Sequence, residues 1–101
     1  MKPSEVLKKF GWGRRALALD GEGKDADIHS EEAKMFCLLG AIERAYDMED
    51  TKKSDEAKSK LSAKLESMGY ASRNGVHISV YNDIICQTAE EAISILEEIG
   101  E

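Results

Sequence analysis

Glu31-Glu32-Ala33-Lys34-Met35-Phe36-Cys37-Leu38-Leu39-Gly40-Ala41-Ile42-Glu43-Arg44-Ala45-Tyr46-Asp47 holds the longest apolar run of the 101-residue chain. Ser30 in front of it is a good N-cap, and Glu31 and Glu32 suit the positive end of a helix dipole. The spacing predicts a helix over 31–47 whose middle is apolar around nearly its whole circumference. Such a helix belongs in the centre of a domain, where every face can be buried. Gly40 inside it costs about 1 kcal/mol against Ala, which implies that another element packs closely there.

Upstream, Pro3 and Ser4 open a first helix, because Pro lacks only an N–H that the first turn leaves free. Val6, Leu7 and Phe10 give that helix one apolar stripe, and Gly11 ends it. Gly13 to Asp20 has a β-like character through Ala16, Leu17, Ala18 and Leu19. The Asp20-Gly21-Glu22-Gly23 turn signal then predicts a short hairpin returning near Ala26–Ile28. Downstream, a polar stretch from Asp47 to Ser54 leads to a surface helix striped by Ala57, Leu61, Leu65 and Met68 and ended by Gly69. Residues 71–75 read as a turn. Val76, Ile78 and Val80 alternate with His77 and Ser79, which by period is a strand, with a short helix as the alternative. Thr88 with Glu91 forms a capping box, and Ala92, Ile93, Leu96 and Ile99 stripe a last helix. The expected fold is mostly α, with α+β open: about four helices around the central helix 31–47, and a short β-hairpin or minor strands near 14–28 and 76–81. Residues 1–101 form a single small globular domain.

At this length folding removes about 60–65% of the extended chain's surface, so the core is small. Twenty acidic against fourteen basic residues give a net charge of −6. That balance argues against nonspecific nucleic-acid binding, which needs Lys and Arg to replace the counterions on phosphate. Charge is uneven along the chain: residues 1–15 carry five bases and one acid, residues 16–56 five bases and twelve acids. No apolar run approaches the roughly 20 residues of a membrane span. The start, Met1-Lys2-Pro3-Ser4-Glu5, has no apolar stretch to serve as a secretory signal, so a cytoplasmic location is expected. Two cysteines, Cys37 and Cys86, lack CxxC or Cys/His spacing, and both read as buried thiols instead of a disulfide or zinc site.

The acidic loop invites a calcium reading, with Asp20, Glu22, Asp27 and Glu31 near EF-hand spacing. Lys24 and Asp25 occupy the positions where that motif wants an oxygen ligand and a glycine, so a solvated acidic hairpin is the better account and no metal is expected. His29 and His77 have no second His at ligand spacing and read as exposed. Cys37 lies in an apolar run, which raises a thiol pKa instead of lowering it. No catalytic residues are therefore assigned. No GxGxxG or P-loop pattern follows a strand. Trp12, Arg14 and Arg15 form a basic-aromatic cluster that suits a partner hot spot or stacking on a base. Against this stands a Trp that closes the core beside two solvated arginines. Tyr81-Asn82-Asp83 either caps backbone groups or lines a small pocket together with that cluster.

Three segments in order resemble a family of small bacterial and phage proteins catalogued as a domain of unknown function, family 6197. They are Gly11-Trp12 followed by Ala16 to Asp20 and a Gly turn, then Phe36-Cys37-Leu38-Leu39-Gly40-Ala41-Ile42, then Tyr81-Asn82-Asp83 with Thr88 opening the last helix. Tyr81 stands where the family typically has Trp. The resemblance implies a phage or bacterial origin and a mostly helical fold, and it implies no activity.

The leading functional expectation is a non-catalytic binding protein, of the kind a phage makes to occlude a host defence or nucleic-acid-binding protein. Its acidic surface would comprise Asp20, Glu22, Asp25, Asp27, Glu31 and Glu32 and steer toward a basic partner. The alternative is a small-ligand, nucleotide-like binder using Trp12, Arg14, Arg15, Tyr81, Asn82 and Asp83, or less favourably a small enzyme. No cofactor, direct nucleic-acid contact or membrane contact is expected, and homo-oligomerisation is open.

Overall fold

The computed structural model describes residues 1–46, 50–70 and 77–101. Helix α1 spans Pro3–Lys9, with Pro3 in the first turn as expected. The Lys2 N–H donates to Glu5 Oε1 at 2.9 Å, satisfying one donor the helix leaves over. Val6 and Leu7 are buried, and Phe10 stands edge-on to Phe36 with ring centroids 5.6 Å apart. Gly11, at φ +149°, turns the chain out of the helix and toward residues 34–36.

The central apolar stretch divides into two elements. Strand β1 (Ala18–Leu19) pairs antiparallel with β2 (Met35–Phe36), Ala18 opposite Phe36 and Leu19 opposite Met35. Helix α2 begins only at Leu38 and runs to Ala45. The expected helical start at Glu31 is therefore seven residues too early. The cause is visible in the donors. Lys34 N–H goes to Leu19 O at 2.7 Å, Phe36 N–H to Gly11 O at 3.0 Å and Cys37 N–H to Leu17 O at 3.2 Å, so none is left for an intrahelical bond. Ser30 caps only a local turn, its Oγ accepting from Glu32 N at 2.9 Å. The N-cap of α2 is Cys37, whose Sγ accepts from Gly40 N at 3.3 Å. The hairpin is corrected in the same way. The chain does turn at Asp20–Lys24 and touches back through a Leu19–Asp25 bridge, but the strand that pairs with β1 is 35–36 and not Ala26–Ile28.

Close packing at Gly40 is as expected. A Cβ there would lie 1.8 Å from Leu17 O, so only glycine lets the 17–18 backbone lie against α2. Helix α3 (Thr51–Ser67) buries Ala57, Leu61 and Leu65 as one stripe and starts at Asp50, whose side chain accepts from Lys53 N. The turn expected at 71–75 and Val76 lie outside the described residues, as does the side chain of His77.

The strand expected near 76–81 is a helix. Helix α4 (His77–Val80) runs into a π-helical turn, Tyr81–Ile85. Ile78, Tyr81 and Asn82 are buried and Ile85 is partly buried against the core, a spacing of three, four and seven that belongs to a helix. Helix α5 (Ala89–Glu98) starts at Thr88, whose side chain accepts from Glu91 N. The Glu91 carboxylate reaches Gln87 N at 2.8 Å, one residue earlier than a capping box prescribes. Among the described residues, five helices and one two-stranded sheet thus enclose a core of Val6, Phe36, Leu38, Ile42, Leu61, Leu65 and Leu96. The Cα radius of gyration, 12.4 Å, matches the roughly 13 Å of a compact 100-residue fold.

Candidate functional site

The two residue groups singled out in the sequence take opposite roles. Asn82 is 1% exposed and uses its amide in both directions. Its Oδ1 accepts from Trp12 Nε1 at 2.8 Å and from Leu38 N at 3.0 Å. Its Nδ2 donates to Gly13 O at 3.1 Å and to Asp83 Oδ1 at 2.9 Å. Leu38 N is the first N–H of α2, so Asn82 caps that helix from 44 positions away. Asp83 Oδ1 also accepts from the backbone N of Arg15 at 3.0 Å, where Arg15 sits at φ +74°. The Arg14 guanidinium lies over the Trp12 ring at 5.3 Å and donates to Cys86 O, while its buried Nε has no partner among the described residues. Trp12, Arg14, Arg15, Asn82 and Asp83 therefore do converge. The polar groups of Trp12 and Asn82 are already bonded within the fold, which leaves Arg15 and Asp83 facing solvent.

Tyr81 does not join them. It packs against Tyr70, centroids 5.7 Å apart, and lines a shallow recess with Met68, Glu91 and Glu98. Burial pushes its phenol above the ordinary range.

Beside the Asn82 junction lies a cavity of about 260 Å³, lined by Arg15, Leu17, Cys37, Ile78, Ser79 and Asp83 among others. Burial raises the Cys37 thiol pKa, against the opposing pull of the Gly40 and Leu39 N–H groups. Burial raises that of Cys86 as well. Neither thiol is disposed to act as a nucleophile at neutral pH. Among the described residues no three His, Cys, Asp or Glu side chains gather in a way that could hold a metal ion.

A family model described as a family of unknown function, DUF6197, matches residues 3–101. The chain belongs to that family. No curated protein and no solved structure matches it. Among the described residues of this DUF6197 chain, no helix is long and apolar enough to cross a membrane.

The acidic loop is ordered by its own backbone. Asp20 Oδ1 accepts from Glu22 N at 2.8 Å and Lys24 N at 3.0 Å. These N–H groups, Lys24 first, hold the Asp20 carboxyl below its usual range. Asp27 Oδ1 accepts from His29 N at 2.9 Å, a second turn of the same kind. Glu22, Asp25, Asp27, Glu31 and Glu32 are exposed, and Asp20 is half-buried. Lys24 stands 3.7 Å from Glu22. No other ion pair to these acids occurs among the described residues.

One residue that holds this loop was not singled out from the sequence. Arg44 on α2 donates to Ile28 O at 2.6 Å and Ser30 O at 3.3 Å, and its guanidinium lies over Phe10 and Phe36 at 5.5 and 5.8 Å. An arginine in an apolar run was the available signal. Exposed His29, at the end of the loop, shares a groove of about 280 Å³ with Glu43 and Asp55. Glu43 and Asp55 therefore lie beside the end of the acidic loop.

Proposed function

We propose that this chain is a non-catalytic binding protein that presents the 20–32 loop to a basic surface on a partner protein. The observation that supports this reading is the rigid display of carboxylates. Asp20 and Asp27 fold the loop by accepting backbone N–H groups, Arg44 fastens its end, and Asp25, Glu31 and Glu32 stand exposed. A preordered acidic surface loses less entropy on binding and attracts a basic groove over a Debye length of about 8–10 Å. Carboxylates so arranged imitate the phosphates of a nucleic acid. The partner class is accordingly a basic host protein, such as one that binds nucleic acid, which the loop would occlude in the manner of a phage-encoded inhibitor. The test is affinity capture from bacterial lysate with the tagged wild type and with a variant carrying Asp25→Lys, Glu31→Lys and Glu32→Lys, which leaves Asp27 and its bond to His29 N in place. A stoichiometric partner that wild type holds at low salt, and that both high salt and the variant release, supports the reading. Equal capture by both proteins overturns it.

A further inference from the structure

The cavity beside the Asn82 junction carries two opposite charges that the fold leaves without an ionic partner. Asp83 Oδ1 accepts from Arg15 N and Asn82 Nδ2, and its Oδ2 has no donor among the described residues. The Arg15 side chain is exposed, and neither residue takes part in an ion pair among the described residues. Both line the cavity, together with apolar surface from Leu17, Leu39 and Ile78. At the start of α2, Leu38 N is taken by Asn82 and Gly40 N by Cys37, and Arg15 is the cationic side chain of the lining. An anionic group entering here therefore has Arg15 as its cationic contact. The volume of about 260 Å³ lies just below the roughly 300 Å³ at which pockets for drug-sized ligands begin, so the occupant is small. Trp12 and Arg14, the side chains that would stack on a base, are bonded within the fold.

We propose that this cavity binds a free amino acid with an apolar side chain. Asp83 receives the ammonium, Arg15 receives the carboxylate as a planar fork, and Leu17, Leu39 and Ile78 cover the side chain. The ligand is a zwitterion, so it balances both charges without leaving either one desolvated and unpaired. This site uses no residue of the acidic loop and stands or falls separately from it.

The experiment is calorimetric titration of the full chain with L-leucine, L-valine, L-leucine amide and N-acetyl-L-leucine. The free amino acids are expected to bind. The amide, which lacks the carboxylate, and the N-acetyl derivative, which lacks the ammonium, are expected to bind roughly tenfold or more weakly, the loss of a hydrogen bond to a charged group. Absence of binding by leucine and valine at millimolar concentration overturns the proposal, as does equal binding of all four. The decisive variant is Arg15→Gly. Glycine adopts φ +74° without strain, so the variant keeps its thermal midpoint while losing the guanidinium. A drop of roughly tenfold or more in leucine affinity with an unchanged midpoint supports the contact, and wild-type affinity overturns it.

Discussion

Asn82 and the acidic loop both consist of polar residues in turns, yet they sit at opposite ends of the molecule's energetics. The Asn82 amide is buried and bonded in four directions, joining the 12–15 segment, α2 and the π-helical turn. The carboxylates of Asp25, Glu31 and Glu32 face water and no described donor holds them. Burial decides the difference. A polar group removed from water must be bonded, and losing its partner costs about 1–3 kcal/mol. A solvated carboxylate loses almost nothing when altered. The junction should therefore respond to mutation in stability and the loop in binding.

The sharpest break comes at Gly40. A Cβ meets Leu17 O at 1.8 Å, and backbone cannot move aside as a flexible side chain would. Gly40→Ala is expected to lose about 3 kcal/mol or more, read by urea denaturation. Asn82→Ala comes next. It strands the Trp12 indole N–H and the first N–H of α2, an expected loss of about 2–3 kcal/mol. Wild-type stability in either variant would remove the junction from the account.

The far end of α2 gives a pH signature. Tyr46 hydrogen-bonds to the Glu101 carboxylate. Burial first, and then that neighbouring carboxylate, push its phenol from 10.0 to about 12. The folded pKa lies above the unfolded one, so this contribution is fully present below pH 10 and fades as pH rises toward 12. Stability should fall over that window more steeply in wild type than in Tyr46→Phe, monitored by thermal midpoint. Identical slopes would contradict the contact. The smallest effect on stability belongs to the loop. Reversing charge at Asp25, Glu31 and Glu32 is expected to leave stability within about 0.5 kcal/mol. A large loss would show that those charges serve the fold.

Much of this contrast was legible in the sequence, and the misses have physical causes. Gly40 in an apolar run announced a close approach, and Trp12, Asn82 and Asp83 were each singled out. The alternative reading brings Trp12 and Asn82 to one place, but the direct bond between them, which spans 70 positions, was not readable. The start of α2 was misplaced because Ser30-Glu31-Glu32 imitates a helix cap. The true cap, Cys37, is an unusual residue in that role, and two-residue strands leave no period to detect. The segment 76–81 misled for a related reason. Its alternation of Val, Ile and Val is genuine, but among the described residues Ile78, Tyr81 and Asn82 are buried and Ile85 is partly buried. A polar Asn in that series hides the helical stripe. The loop's Asx turns followed from Asp20 and its neighbours, whereas the Arg44 fastening depends on tertiary packing.

The central claim is that the loop binds while the junction holds the fold, and one paired capture tests it most directly. Wild type and the Asp25, Glu31 and Glu32 charge-reversed variant, shown to share the same denaturation midpoint, are used side by side on bacterial lysate. A stoichiometric basic partner is expected on wild type alone, released by salt. The same partner held equally by the variant would contradict it.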